Sequence, residues 1–206
     1  MQVDQKRWMV DCNSYQHAIL NLTSINLPGG VQRRRNEEDQ LNIRTFFKEG
    51  DIVNGEVMQV NQSDGKIQIQ TRNLKYGKLL NGFMLKIDSN FVRRMKNHII
   101  EFFGTQTHPY TIGCIIGTNG YIWIYSPNKE QQIISVSRAE RVAMSVLRNA
   151  IVCLEKEQLP VFKDTIQLVL DQYFTIEQDV APTQMLQMRE LLCSSAKAKI
   201  QQEISE

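Results

Sequence analysis

The sequence is short of the residues from which catalysis is usually built. Its four cysteines, Cys12, Cys114, Cys153 and Cys193, include no C-x-x-C pair. They encode neither a redox dithiol nor a cysteine zinc site and read as reduced, mostly buried thiols. The three histidines, His17, His98 and His108, are scattered, and no ordered carboxylate set such as D-x-E accompanies them. A nuclease or phosphorolytic enzyme is therefore not expected, nor is any metal or cofactor. No apolar run approaches the ~20 residues that cross a bilayer. The polar start MQVDQKRW is not a signal peptide, so an intracellular protein with no membrane partner is expected. Charge of one sign is scarce as well: 24 Lys and Arg against 22 Asp and Glu leave +2. Any nucleic-acid footprint has to be local.

What is present is alternation. The chain has 206 residues, 42% of them hydrophobic, enough for one large domain or two small ones. Trp8, Val10 and Cys12, then Ala18, Leu20 and Leu22, recur at period two and predict two strands within 7–25. Pro28, Gly29 and Gly30 break the pattern. Arg33-Arg34-Arg35 follows, with Glu37, Glu38 and Asp39 directly behind it. That run reads either as a solvated loop whose charges cancel or as a basic finger for phosphate. GDIVNGEVMQV and GKIQIQTR flank a polar turn at Gln62 to Gly65 and predict a hairpin over 50–72. Phe83, Leu85 and Ile87 then share one face of a further strand. Several short strands in about 90 residues suit an antiparallel OB-type barrel. Arg72, Lys75 and Lys78, with Tyr76 among them, lie on one connection and suit single-stranded RNA.

From Phe91 the period changes. Phe91, Met95, Ile99 and Phe102 stand at helical spacing, which predicts a helix over 91–103 with Arg93, Arg94 and Lys96 on its other faces. Ser137 and Glu140 form a capping box ahead of a helical stripe at Val142, Val146, Ile151 and Leu154. Pro160 ends that region. Ile166, Val169, Leu170 and Tyr173 mark a second helix, Pro182 suits a first turn, and TQMLQMRELLCSSAKAKIQQEI marks a third. Between these parts lies GCIIGTNGYIWIYS. Gly117-Thr118-Asn119-Gly120 has the G-x-x-G form of a KH phosphate clamp. A clamp needs a helix after the second glycine, and here Tyr121, Trp123 and Tyr125 alternate with Ile122 and Ile124. The four residues therefore read as a hairpin turn, with Asn119 and Gly120 at positive φ.

RWMVDCNS, LTSINLPGG, RRRNEEDQL, EGDIV, SDGKIQIQTRNLKYGKL and IIGTNGYIWIY occur in this order. Together they resemble the S1/KH RNA-binding cap subunits of the RNA exosome, the family of ribosomal-RNA-processing protein four. The resemblance runs from about Asp4 to Leu154 and weakens over the C-terminal helices. It implies an α+β chain of two domains: an S1 OB-type barrel at 1–88 and a KH-like domain with C-terminal helices at 91–206. Met1 falls inside the family's first S1 strand, so the barrel is expected to be incomplete there. It also implies a non-catalytic role in a hetero-oligomer. The partners would be RNA, a ring of RNase-PH-like subunits and other cap subunits, in the nucleus and nucleolus and also the cytoplasm. The candidate RNA-binding residues are Arg33, Arg34, Arg35, Arg72, Lys75, Tyr76 and Lys78. The family pattern is broken inside G-x-x-G, where Thr118 and Asn119 supply no positive charge. A stand-alone S1/KH RNA-binding module is the alternative.

Overall fold

The computed structural model describes residues 2–27, 33–103, 111–127, 136–176 and 184–205. The readings at Pro28, Gly29, Gly30, His108 and Pro182 lie outside the described residues. The chain divides into two compact units, Met1–Leu79 and Leu80–Glu206.

In the first unit β1 (Gln2–Val3), β2 (Arg7–Val10) and β3 (Ala18–Ile25) are followed by a short helix, α1 (Glu37–Leu41). After β4 (Val53–Asn54) come β5 (Glu56–Val60), β6 (Ile67–Thr71) and β7 (Gly77–Lys78). One sheet has the order β1-β2-β3-β6-β5, and β4 pairs with β7. All neighbours are antiparallel except β3 and β6. The alternation read from the sequence sets the inward face: Trp8, Ala18, Leu20, Leu22, Ile25 and Ile69 pack with Ile43 and Phe47. The Trp8 indole N–H donates to the Phe47 carbonyl at 2.9 Å, so its one polar atom is satisfied inside the core. The sheet stays open along β5. Val57 stands opposite the core residue Ile69, yet is 57% exposed.

The second unit is an antiparallel sheet covered on one face by helices. Its strands are β8 (Gly82–Lys86), β9 (Ile99–Phe103), β10 (Thr111–Ile116) and β11 (Tyr121–Tyr125), in the order β8-β11-β10-β9. The helices are α2 (Arg138–Lys156), α3 (Lys163–Ile176) and α4 (Arg189–Ser205). Ile112, Cys114, Ile116, Ile122 and Ile124 point into the helix-covered core and are almost wholly buried. On the other face the Tyr125 ring lies across Gly113, where an added Cβ would stand 2.2 Å from it. The Ser137–Glu140 capping box forms as read, with Ser137 N–H donating to Glu140 at 2.8 Å and Glu140 N–H to Ser137 Oγ at 3.2 Å. Ile166, Val169, Leu170 and Tyr173 are buried as expected.

Three expectations are corrected. Residues 91–103 are not a helix: a 3-10 turn covers Ser89–Phe91, a loop follows, and Ile99–Phe103 is β9. Phe91 and Met95 do reach the core. Beyond them Ile100 and Phe102 alternate inward against exposed Glu101 and Phe103. Pairing with β10 satisfies this β-branched and aromatic run, and its helical spacing is a coincidence. The strand bearing Phe83, Leu85 and Ile87, expected to close the first domain at 88, pairs with β11 and packs on the second core, so the division falls at Leu79 and Leu80. Val142 is 45% exposed, whereas Val146, Ile151 and Leu154 are buried as expected and are joined in the core by Met144 and Leu147.

Helix α4 is fastened to the end of α2 by charge. Glu157 accepts from Lys197 Nζ at 2.6 Å and from Arg189 Nε at 2.9 Å, and its carboxylate is largely buried. The Lys197 ammonium, then Arg189, hold the Glu157 carboxyl below its ordinary range. A carboxylate depressed in the folded state stabilises fully above its unfolded pKa and loses that contribution as pH falls through the folded value. Glu157→Gln should therefore lower stability by about 1–2 kcal/mol at pH 7. Thermal melts of both proteins from pH 7 down to about pH 3 should show the gap closing.

Candidate nucleic-acid interface

Two of the basic residues read from the first half, Arg35 and Arg72, meet at the C-terminal end of β3. Arg35 donates from Nε to the Leu22 carbonyl at 3.0 Å and from Nη2 to the Ile25 carbonyl. Arg72 donates to the Thr23 carbonyl at 3.2 Å, and its own carbonyl accepts from Asn26. Ile25 lies in register with Thr71, the last residue of β6. The 33–35 segment and the connection after β6 are thus both hung from one strand end. This convergence joins segments far apart in the chain, and no local pattern announced it.

The seven candidates then separate by what holds them. Arg33 makes a bidentate pair with buried Asp39, at 2.7 and 2.8 Å. The Arg33 guanidinium and the Asn36 amide hold the Asp39 carboxyl below its usual range, and Asp39 raises Arg33 in return. Lys78 reaches buried Asp51 at 2.9 Å. Burial alone would push that carboxyl up, but the Lys48 amide and the Lys78 ammonium bring it below its ordinary value. These two cations are neutralised within the fold. The hydrogen bonds of Arg35 and Arg72 among the described residues go to neutral carbonyls, which fix their geometry without an ion pair, although the Arg35 charge also helps hold the Asp39 carboxyl down. Arg34 and Lys75 are exposed and carry no side-chain partner among the described residues. Lys75 sits on a tight turn in which Asn73 accepts from the Lys75 and Tyr76 amides, and exposed Leu74 sits beside it. Tyr76 is half-buried. Exposed Glu37 and Glu38, in the first turn of α1, are the nearby charges of opposite sign in sequence.

The G-T-N-G element is a turn. Gly120 N–H donates to the Gly117 carbonyl at 3.1 Å, and Gly117 N–H to the Tyr121 carbonyl at 2.9 Å, directly between β10 and β11. Gly120 has φ +84°, whereas Asn119, expected to share the left-handed conformation, does not. A three-residue connection needs only its last position left-handed. Asn119 instead lends its side-chain oxygen to the Tyr121 amide at 3.1 Å. Gly120 is required twice over, because a Cβ there would stand 2.4 Å from the Ile87 carbonyl oxygen. The G-x-x-G element therefore presents no helix N-terminus to a phosphate.

Gly120→Val should cost about 3 kcal/mol or more, combining backbone strain with the clash at Ile87. Replacing Thr118 and Asn119 together by Asp should leave the melting temperature within a few degrees, since Asp retains the acceptor that the turn uses. Thermal melts of both variants check this. A turn region indifferent to valine at position 120 would contradict it.

Comparison with known proteins agrees with this architecture. Residues 1–59 match the family model described as RRP4, S1 domain, and residues 82–130 match a KH domain model. The chain is 45% identical over 143 residues to exosome complex component rrp4 of Schizosaccharomyces pombe, covering 69% of this chain and 41% of that protein. It is 47% identical over 123 residues to exosome complex component RRP4 of Saccharomyces cerevisiae, covering 60% and 32%. It is 37% identical over 174 residues to exosome complex component RRP4 of Bos taurus, covering 80% and 57%. The match spans less than two thirds of each relative's length. With an RRP4-type S1 domain and a KH domain in one chain, and relatives of this identity over most of it, the chain belongs to the RRP4 family of exosome components.

Proposed function

We propose that the chain acts as a non-catalytic RNA-binding cap subunit of an RNA exosome. It would brace a ring of RNase-PH-like subunits and guide RNA into the pore for 3′-to-5′ processing and degradation, ribosomal RNA included. The observation that carries the reading is the strand end in the S1 unit. There Arg35 and Arg72 are held rigidly with their charge intact, beside Arg34 and Lys75, which have no side-chain partner among the described residues. Anchored and unanchored cations together suit a phosphodiester backbone, which needs charge more than shape.

Four carboxylates and three thiols that chemistry could use are engaged in holding the fold. Asp39, Asp51, Glu140 and Glu157 each serve a cap or an ion pair. Burial pushes the Cys114 and Cys193 thiols up to about 12 and that of Cys153 up to about 11, so none is a ready nucleophile. Residence in the nucleus and nucleolus, and in the cytoplasm, goes with this reading, and imaging of the tagged protein tests it.

The central test is co-purification: a cap should bring down ring subunits in fixed stoichiometry, whereas a free S1/KH module should not. Purified chain should leave RNA intact with Mg²⁺ or with phosphate, and shortening that tracks with the polypeptide would refute the non-catalytic reading. Arg34→Gln with Lys75→Gln should weaken single-stranded RNA binding about tenfold at low salt with the melting temperature unchanged. Arg35→Gln should lower the melting temperature as well, because it abandons two strand carbonyls.

A further inference from the structure

We infer that the turn end of the KH-unit sheet is a second binding site for the phosphodiester backbone of single-stranded RNA. Its charges come from Lys86, Arg94 and Lys96, not from the G-T-N-G turn. The inference rests on the RNA-binding reading and adds to it a surface in the other unit.

Strand register brings three segments to this one end. Lys86, the last residue of β8, stands opposite Tyr121, the first of β11. The turn 117–120 joins β10 to β11 there. Ile99, the first residue of β9, pairs with Ile115, and one step further the Ile116 amide donates to the His98 carbonyl at 2.9 Å. His98 Nδ1 lies 3.0 Å from the Ile116 carbonyl oxygen. The loop ahead of His98 is fixed at its other end too. Val92 bridges Val161, the Arg93 amide donates to the Val161 carbonyl at 3.3 Å, and the Val161 amide donates to the Phe91 carbonyl at 2.6 Å.

Between these two anchors the side chains sort themselves. Met95 packs against the core. Arg94 and Lys96, on either side of it, are exposed. They form no ion pair among the described residues. Two residues of chain span at most about 7 Å, so the two side chains leave the backbone from one short stretch of this loop. Arg93 is occupied differently, with its guanidinium 5.1 Å from the centre of the Phe162 ring. The Lys86 ammonium lies 5.4 Å from the centre of the half-buried Tyr121 ring, which places a cation and an aromatic face together. Carboxylates at this end, among the described residues, include Asp88 and Glu155. Asp88 accepts from the Asn90 amide at 2.9 Å, and Glu155 from the Asp88 amide at 3.0 Å. Beside them stand the exposed cations Lys86, Arg94 and Lys96.

This arrangement also accounts for a G-x-x-G without a basic residue. The loop beside the turn carries cations that the turn lacks, on a frame held by backbone hydrogen bonds at both ends.

The test uses the full chain and a fluorescein-labelled oligouridylate of about 12 nucleotides, within the span of a single-strand site, with anisotropy measured across a salt series. Arg94→Gln with Lys96→Gln should weaken binding about tenfold at low salt and flatten the salt dependence by about 1.4 in log–log slope, roughly 0.7 for each single-strand phosphate that is no longer neutralised. The melting temperature should stay unchanged. Charge reversal to Glu at both positions should weaken binding further. If the parent chain binds with a steep salt dependence and the Gln variant keeps both affinity and slope, this site is refuted while the RNA-binding reading stands. If the parent chain shows no salt-dependent binding, the reading on which the site rests is itself refuted. If the Gln variant binds RNA normally but no longer assembles with ring subunits, the patch contacts protein and the inference is overturned.

Discussion

The second unit is organised around the meeting of Gly120 with Ile87. The Gly120 carbonyl accepts the Ile87 amide at 2.9 Å, and its Cα lies so close to the Ile87 carbonyl that no side chain fits between them. That meeting locks the end of β8 onto the β10–β11 hairpin. It commits Phe83, Leu85 and Ile87 to the helix-covered core. It also leaves the turn buried at one end and exposed only at Thr118. A backbone packed this closely serves the fold as a turn and has no helix behind its second glycine.

Charge in the first unit follows a related logic. Asp39 and Asp51 are buried carboxylates, and burying an unpaired charge is costly enough that each requires a cation. Arg33 and Lys78 fill that need, and their charge is partly balanced within the fold. Arg35 and Arg72 satisfy carbonyls at the end of β3, where the parallel ladder to β6 shifts register between Leu20 and Ile25. Because carbonyls are neutral, these guanidinium groups rigidify the surface without losing their field. A chain with a net charge of +2 can in this way still present concentrated positive edges.

Polar groups act similarly in the helical layer. Glu140 closes the capping box and also accepts from Ser126 at 2.9 Å, which ties the start of α2 to the residue after β11. Glu157 ties the end of α2 to α4. The hydrogen bonds from Ser137 and Ser126 hold Glu140 below its ordinary range, as Lys197 and Arg189 do Glu157. Both are signs that the folded state favours the charged form. The two ends of α2 are thus oriented by polar groups, while its middle is held by apolar burial.

What the sequence determined by itself was whatever depends on near neighbours. The alternation of Trp8, Val10 and Cys12, and of Ile122 and Ile124 against three aromatics, fixes which side chains share a face of each strand. Ser137 and Glu140 set a helix start from their spacing alone, and the alternation after Gly120 was enough to favour a turn over a clamp. The order of the S1 and KH domains was legible in the motifs. The tertiary structure decided the rest. Phe91, Met95, Ile99 and Phe102 fit a helical template, but β10 offered the 99–103 backbone a ladder, and strand pairing prevailed. Phe83 and Leu85 have a strand's pattern in either unit, and only pairing with β11 assigned them to the second. Arg33, Arg34 and Arg35 are identical as letters. Asp39 neutralises the first, the second stands exposed, and strand carbonyls bind the third, because each meets different surroundings brought from elsewhere in the chain. Periodicity reports which way a side chain points, and only the folded chain supplies what it points at.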